Sequence, residues 1–470
     1  MSLINSPSRV VRKVGMVSLG CAKNLVDAEI MLGDAGSRGF QITADPEEAD
    51  VLIVNTCGFI DAAKQESIDA ILEANEQLEA SGRPGRKLVV SGCLSQRFSK
   101  DLVQEIPEVD AFIGLDQVAQ AGEILDGLFK EEEAMGNRSD KPLNFVTRGS
   151  RYIPDWDTPK FRLTPTHTTY VKIAEGCNHP CSFCVIPQMR GRHRSRSIES
   201  VVEEVRRLAG EGVKEFNLIS QDTTYFGMDL WEQKSSPTQP VDSSRGPTLT
   251  RLLDALAGVE GDFWVRLLYT HPAHWSGELI SAIAGNPKVL PYIDIPLQHI
   301  HAEMLQTMRR ETSREHIENL LDSLRAGIPN LGIRTTFIVG FPGETDEHFE
   351  SLMEFIEARR FERLGIFTYS QEEGSRAGKM EGQISASIKN RRYRQAMKLQ
   401  QKIAAEIAAE QVGKRLRILM DQPRVGRTLH DAPDVDCRVI LDKDASVGDF
   451  LDVEVTGTQV YDLRAQAVLR

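Results

Sequence analysis

The 470-residue sequence predicts a multidomain α/β protein: an N-terminal doubly wound parallel sheet, a central (β/α) partial barrel and a small all-β barrel at the C-terminus. Three observations carry that prediction. Strand-length apolar runs alternate with helix-length stretches near the N-terminus, six more alternations follow a polar interruption, and the last roughly 60 residues turn to short strands between Gly and Asp turns. A chain this long also exceeds what one hydrophobic core serves.

The N-terminal units read VGMVSL then VDAEIMLGDAG, VLIVNT then AAKQESIDAILEANEQLEA, and LVVSG then a helix-length segment before AFIGL. This domain is expected over 10–125. Cys21, Cys57 and Cys93 lie just past three of its strands, as LGCAKN, NTCGF and SGCLSQ, with equal spacing between them. In open α/β sheets ligands bind beyond the carboxyl ends of the strands, so thiols far apart in sequence can converge there. The plainer alternative is that small buried cysteines simply end hydrophobic strands. Gly20, Gly58 and Gly92 flank the three cysteines, as suits tight turns or close backbone approach. A polar, turn-rich stretch over 126–162 reads as a linker.

The central domain is expected over 163–395. The strand TTYVKIAEG leads into Cys177, Cys181 and Cys184, and the strands KEFNLIS, FWVRLLY, YIDIPLQ, GIRTTFIVGF and RLGIFTYS follow, each after a helical stretch. Chemistry in such an arrangement sits at the C-terminal rim of the strands. WEQKSSPTQPVDSSRGPT has no periodicity and reads as an exposed loop. A long helical stretch, SIKNRRYRQAMKLQQKIAAEIAAEQVG, bridges to a tail over 396–470 with strand candidates KRLRILM, CRVILD, DFLDVEVTG and YDLRAQAV.

Composition narrows the function. The 56 basic and 68 acidic residues give a net charge of −12, which argues against general adhesion to nucleic acid. The opening MSLINSPSRVVRKVG lacks the apolar centre of a signal peptide, and no run approaches the roughly 18 apolar residues of a membrane span, so a cytoplasmic location is expected. Seven cysteines, an odd number in such a chain, favour metal binding or catalysis over a disulfide framework.

The triplet Cys177, Cys181 and Cys184, spaced C-x3-C-x2-C in KIAEGCNHPCSFCVIP, offers three thiolates with no fourth cysteine nearby. Structural zinc takes four closed ligands, whereas an iron-sulfur cubane can be held by three thiolates with one iron open. A zinc site completed by His179 or His193 is the alternative. Downstream, Arg190, Arg192, Arg194 and Arg196 alternate, which on an extended segment would place them on one face toward anionic groups; the rival reading is a solvated basic strand. Ser220, Gln221 and Asp222, then Gln298 and His299, fall at strand ends and are expected cofactor or substrate contacts. Gly340, Pro342 and Gly343 form a turn after a strand, with Thr345 capping the next helix.

The triplet, with Phe183 before its last cysteine, closely resembles that of the radical S-adenosylmethionine (SAM) enzymes. That resemblance implies that Cys177, Cys181 and Cys184 hold a catalytic 4Fe–4S cluster. SAM occupies its open iron and is cleaved to a 5′-deoxyadenosyl radical. Phe183, Ser220, Gln221 and Gly340 are the expected SAM contacts.

The scattered cysteines and the β tail extend the likeness to the methylthiotransferases: an N-terminal domain with three dispersed cysteines, a radical SAM core and a C-terminal TRAM domain. This implies that Cys21, Cys57 and Cys93 hold a second 4Fe–4S cluster, whose open iron accepts the sulfur that becomes the methylthio group. SLGCAKNLVDAE, PLQH and GRTLHDAPDVDC resemble the branch that modifies the β-carbon of an aspartate in small-subunit ribosomal protein S-12; the branch acting on tRNA adenosines is the alternative. Cys437 departs from the pattern, standing where that branch carries glycine. The expected partners are ribosomal protein S-12 and an electron donor such as flavodoxin or ferredoxin.

Charge bears on the choice independently. From Lys398 onward there are 11 basic and 12 acidic residues, a near-neutral tail, whereas a module gripping tRNA phosphates is expected to be basic. A two-cluster electron carrier, a rival from another class, normally has four protein thiolates per cubane, and neither set here has a fourth.

Overall fold

The computed structural model describes residues 11–135, 141–236 and 238–468. The chain forms two compact units: Met1–Leu163 together with Gln188–Gly191, and Thr164–Pro187 together with Arg192–Arg470.

The first unit is built on a parallel sheet of β1 (Lys13–Ser18), β2 (Gln41–Ile42), β3 (Val51–Thr56), β4 (Lys87–Gly92), β5 (Ala111–Phe112) and β6 (Leu143–Asn144), in the order β2-β1-β3-β4-β5-β6. VLIVNT and KLVVSG are buried at every position because β3 and β4 lie mid-sheet, where both faces are covered. Leu52, Val54, Leu88, Val90 and Phe112 pack against Ile71, Ala74 and Leu102 of the flanking helices 61–80 and 93–105. Burying a side chain of this size contributes about 1.5–3 kcal/mol.

The stretch read as a linker is structured over much of its length. Helix 121–135 runs into it, and β6 adds to the sheet beside β5. The Asp116 carboxylate accepts from Ser150 Oγ (3.0 Å), Arg151 N (2.6 Å) and Tyr152 N (2.8 Å), pinning the segment by its backbone. Its polar composition records exposure and side-chain capping, which an irregular segment can combine with fixed structure.

In the second unit β7 (Thr168–Lys172) is followed by a two-stranded antiparallel ribbon, β8 (Ala174–Glu175) with β9 (Arg194–Ser195). β10 (Glu215–Ile219), β11 (Trp264–Leu267), β12 (Val289–Asp294), β13 (Gly332–Val339) and β14 (Arg363–Thr368) then complete a parallel six-stranded sheet in the order β14-β13-β12-β11-β10-β7. It is the open partial barrel expected from six strand–helix units. Phe216, Leu218, Val265, Ile293 and Phe337 form its core with Leu252, Leu321 and Phe355 from the helices. Helix 386–409 lays Ala396 and Ile403 on this core and runs uninterrupted across the expected domain border at 395/396.

A closed five-stranded barrel follows: β15 (Arg415–Gln422), β16 (Val425–Thr428), β17 (Val439–Leu441), β18 (Phe450–Gln459) and β19 (Asp462–Ala467). β16 is absent from the sequence expectation because Pro423 and Gly426 disguise it as a turn; it pairs with both β15 and β17. Within this unit, Glu215 of β10 accepts from Arg266 Nε (2.9 Å) and Arg427 Nη2 (2.6 Å), with all three residues buried. Among the described residues, no helix is long and apolar enough to cross a membrane.

Candidate metal centres

The three dispersed cysteines meet at one end of the first sheet. Cys21 ends the turn after β1 and caps helix 22–37, Cys57 follows β3 directly, and Cys93 opens helix 93–105 after β4. Helix N-termini present unpaired N–H groups, so thiolates placed at two of them lie in a favourable field. A β-carbon added to Gly20, whose φ is +89°, would stand 3.2 Å from Cys57 Sγ, a measure of how closely the turn bearing Cys21 approaches Cys57.

Two buried asparagines, which sequence reasoning missed, lock these turns. Asn24 Nδ2 donates to the carbonyls of Leu19 (2.7 Å) and Thr56 (3.1 Å), while Asn55 Nδ2 donates to the Asn24 carbonyl (2.7 Å). Ser67 Oγ lies 2.9 Å from both the amide nitrogen and the carbonyl oxygen of Cys57.

Cys21 is exposed, Cys57 half-buried and Cys93 buried. Burial pushes the Cys93 thiol up to about 12, Arg190 opposes the rise, and the thiolates of Cys21 and Cys57 add to it. Burial likewise raises Cys57, with Cys21 contributing. Thiols whose charges oppose one another ionise together only against a strongly positive partner, and metal binding then displaces their protons. The donor set fits an iron-sulfur cluster.

Arg190, expected to share one face with Arg192, Arg194 and Arg196, does otherwise. It ends the short helix 186–190 and is buried, its Nη2 donating to Asp27 Oδ2 (3.0 Å) and Cys93 Sγ (3.3 Å). Arg196 is also buried, on Ser200 and Glu204, while Arg192 is exposed. The alternation fails because the helix and the turn at Gly191, with φ of +74°, break the extended run.

The triplet occupies the loop between β8 and helix 186–190, and the loop is held from several sides. Gly176 N donates to Gln221 Oε1 (2.6 Å), Ser182 N to the Met308 carbonyl (2.9 Å), and Ser182 Oγ to the Thr307 carbonyl (2.9 Å). Arg310, another residue the sequence did not reveal, donates through Nη1 to Cys181 Sγ (3.4 Å) and through Nη2 to the Pro296 carbonyl (2.8 Å). Burial with the neighbouring Cys181 pushes Cys184 up to about 12, and burial, then Asp222 and Cys184, raises Cys177. This donor set passes the same test as the first.

His179, the alternative zinc ligand, is held by carboxylates in this structure. Its Nδ1 faces Glu311 Oε2 and its Nε2 faces Asp222 Oδ2 (2.8 Å), so both ring nitrogens point at carboxylates; burial opposes the charge, but these bonds prevail and raise His179 to about 9. His271 stacks on the ring at 3.6 Å. His193 Nε2 lies 3.2 Å from Ser195 Oγ.

The expected SAM contacts fall on the same rim. Ser220 and Gln221 follow β10, with Ser220 Oγ 3.3 Å from Thr223 Oγ1 and Gln221 Nε2 donating to Glu175. Gly340 follows β13 with φ of +74°, its N–H donating to Glu344, and Phe183 packs against the cluster of Met304, Met308, Phe341 and Tyr369. Sequence position indicated the rim, including His299, whose Nε2 lies 3.3 Å from Glu344 Oε1; Glu344 itself and its partner Arg392 were not foreseen.

One parallel sheet thus carries three thiols in a rim loop and the other three more at its strand ends, two donor sets that each suit an iron-sulfur cluster. Residues 13–114 match the "Uncharacterized protein family UPF0004", 171–356 the "Radical SAM superfamily" and 412–468 the "TRAM domain". The ribosomal protein uS12 methylthiotransferase RimO of Opitutus terrae is 57% identical, with 96% of each chain covered. Its counterparts from Akkermansia muciniphila (52%, covering 96% of this chain and 99% of the relative) and Symbiobacterium thermophilum (46%, 97% and 91%) agree. The chain belongs to the RimO family of ribosomal protein uS12 methylthiotransferases. Among solved structures, the radical SAM methyltransferase TsrM from Kitasatospora setae, with cobalamin and a [4Fe-4S] cluster bound, shares the fold at 14% identity (TM-score 0.53, covering 76% of this chain and 72% of that chain).

Proposed function

We propose that this enzyme adds a methylthio group to the β-carbon of an aspartate in ribosomal protein uS12, using two 4Fe–4S clusters and SAM. The observation that carries this is the pair of three-thiol sites, each lacking a fourth cysteine, in a chain 57% identical to a uS12 methylthiotransferase. When bound, the cofactors supply reductive cleavage of SAM to a carbon-centred radical and a place for sulfur to be methylated and held.

The chain's own residues supply position. Cys177, Cys181 and Cys184 hold the SAM cluster, and Cys21, Cys57 and Cys93 the auxiliary one. Phe183, Ser220, Gln221 and Gly340 line the SAM site. Glu344 fixes the Gly340 turn by accepting its N–H, and Arg392 neutralises that carboxylate. Ser182 anchors the triplet loop so that three thiolates arrive together rather than at an entropic cost paid on binding. The near-neutral tail favours a protein target over tRNA. The reaction then belongs in the cytoplasm, with a one-electron donor such as flavodoxin or ferredoxin.

Mass spectrometry of uS12 and tRNA from cells with and without this chain tests the reading. A methylthio mass gain on uS12, with tRNA unchanged, is expected; a gain on tRNA alone would overturn it. Purified Cys57→Ala should lose about four irons per chain, still cleave SAM under reduction, and leave uS12 unmodified.

A further inference from the structure

The first unit contains one residue whose charge the proposed chemistry leaves unused. Arg190 is 2% exposed, and its Nη2 lies 3.3 Å from Cys93 Sγ and 3.0 Å from Asp27 Oδ2. A buried guanidinium is expensive unless paired, and Asp27, itself buried, provides the counter-charge. The pair is neutral as a whole but oriented, with its cationic end on the sulfur and its anionic end beyond. Such an arrangement acts at short range, on the thiolate it touches.

We propose that Arg190 sets the reduction potential of the cluster held by Cys21, Cys57 and Cys93. A charged N–H donated to a cluster thiolate withdraws electron density from the sulfur and so from the irons it binds. The reduced cluster carries one more negative charge than the oxidised one and gains more from that withdrawal. Hydrogen bonds to the sulfurs, together with net charge and solvent exposure, are what a protein adjusts to set such potentials. Arg190 therefore raises the potential, and it makes the open iron a stronger acceptor for anionic sulfur. It is a positioning residue, acting through Cys93.

The geometry separates this role from mere packing. Arginine presents its donors as a rigid planar fork, so one nitrogen can serve both sulfur and carboxylate while the rest of the guanidinium stays fixed. Lysine could reach the same sulfur as a point charge, whereas glutamine would keep most of the bulk and a neutral donor. A packing role predicts similar behaviour from both. An electrostatic role predicts that only glutamine moves the potential far.

The inference rests on the auxiliary-cluster assignment above, and the test separates the two. Full-length chain with Cys177, Cys181 and Cys184 replaced by alanine carries only the auxiliary site; iron is counted after reconstitution, and the midpoint is followed by electron paramagnetic resonance as dithionite delivers one electron per cluster. Arg190→Gln is expected to keep its irons and favour the oxidised cluster at least tenfold more than the parent, about 59 mV for one electron. Arg190→Lys should lose less than half of that shift. Asp27→Asn, which removes the negative charge 3.0 Å from Arg190, should move the midpoint the opposite way. An iron-loaded Arg190→Gln at the parent midpoint overturns the proposal. If that variant holds no iron, unmoved midpoints in both Arg190→Lys and Asp27→Asn overturn it instead. A parent that takes up no iron overturns the cluster assignment itself, and this proposal with it.

Discussion

At Gly92 the backbone adopts φ of +94°, and a β-carbon there would collide with the Thr56 backbone and with Asn55 Oδ1 (2.7 Å). Alanine must therefore either displace β3 or move the turn that presents Cys93. Backbone strain alone costs about 1–3 kcal/mol. Gly92→Ala is expected to lower stability to denaturant by at least that amount and to reduce iron uptake at the auxiliary site. The cysteines themselves were legible, because thiols at matched positions after successive strands point to one end of a parallel sheet. Asn24, Asn55 and Arg190 were not. The contacts that join separate turns span long stretches of sequence: Asn24 and Asn55 are 31 residues apart, and Arg190 and Asp27 163 apart. Nothing in an isolated Asn or Arg announces which carbonyl or sulfur it will meet.

Individual elements show where local chemistry suffices. Thr345 was expected to cap the helix after the PGET turn, and it does so in a full capping box: its Oγ1 accepts from His348 N (3.2 Å) and its own N–H donates to His348 Nδ1 (3.2 Å). Removing an N-cap of this type costs about 1 kcal/mol. Thr345→Ala should speed amide hydrogen exchange over the first turn of helix 346–359 while leaving β13 protected; unchanged exchange there would mean that packing, not the cap, fixes the helix start. β16 shows the opposite case. VGRT carries a glycine, follows a proline and alternates too briefly to register, yet two neighbouring strands give it a complete ladder. Tertiary pairing overrides weak propensity there.

Over the second unit as a whole, ion pairs and a tyrosine hydrogen bond tie the five-stranded barrel to the parallel sheet. Besides Glu215 with Arg266 and Arg427, Arg363 donates to Asp431 and Tyr292 Oη to Asp436 Oδ2 (2.6 Å). Burial disfavours the Glu215 charge, but Arg427 and Arg266 prevail and hold it below its ordinary 4.5; Arg363 does the same for Asp431 against an ordinary 3.8. Groups with depressed values stabilise above their unfolded pKa and lose that contribution as pH falls through the folded one. Asp436, raised by burial, runs the other way and offsets part of the loss. Acidification below 4.5 should thus lower the melting temperature of the metal-free protein, and Glu215→Gln should flatten that dependence. Arg427→Leu, which strands Glu215 without one of its cations, should cost about 3–5 kcal/mol at neutral pH. An Arg427→Leu protein as stable as the parent would show that Arg266 alone satisfies the carboxylate.

The place of Gln188–Gly191 in the first unit has a consequence in time. Arg190 follows Cys93 by 97 residues, and Cys177, Cys181 and Cys184 all precede it. At translation rates of roughly 5–20 residues per second, the last of the first unit's three thiols, Cys93, therefore emerges roughly 5–20 s before the guanidinium that belongs beside it. By then the triplet has also been synthesised. The order of residues along the chain thus schedules assembly: the site of Cys21, Cys57 and Cys93 reaches its final form only after all six cysteines of the two triplets have been made.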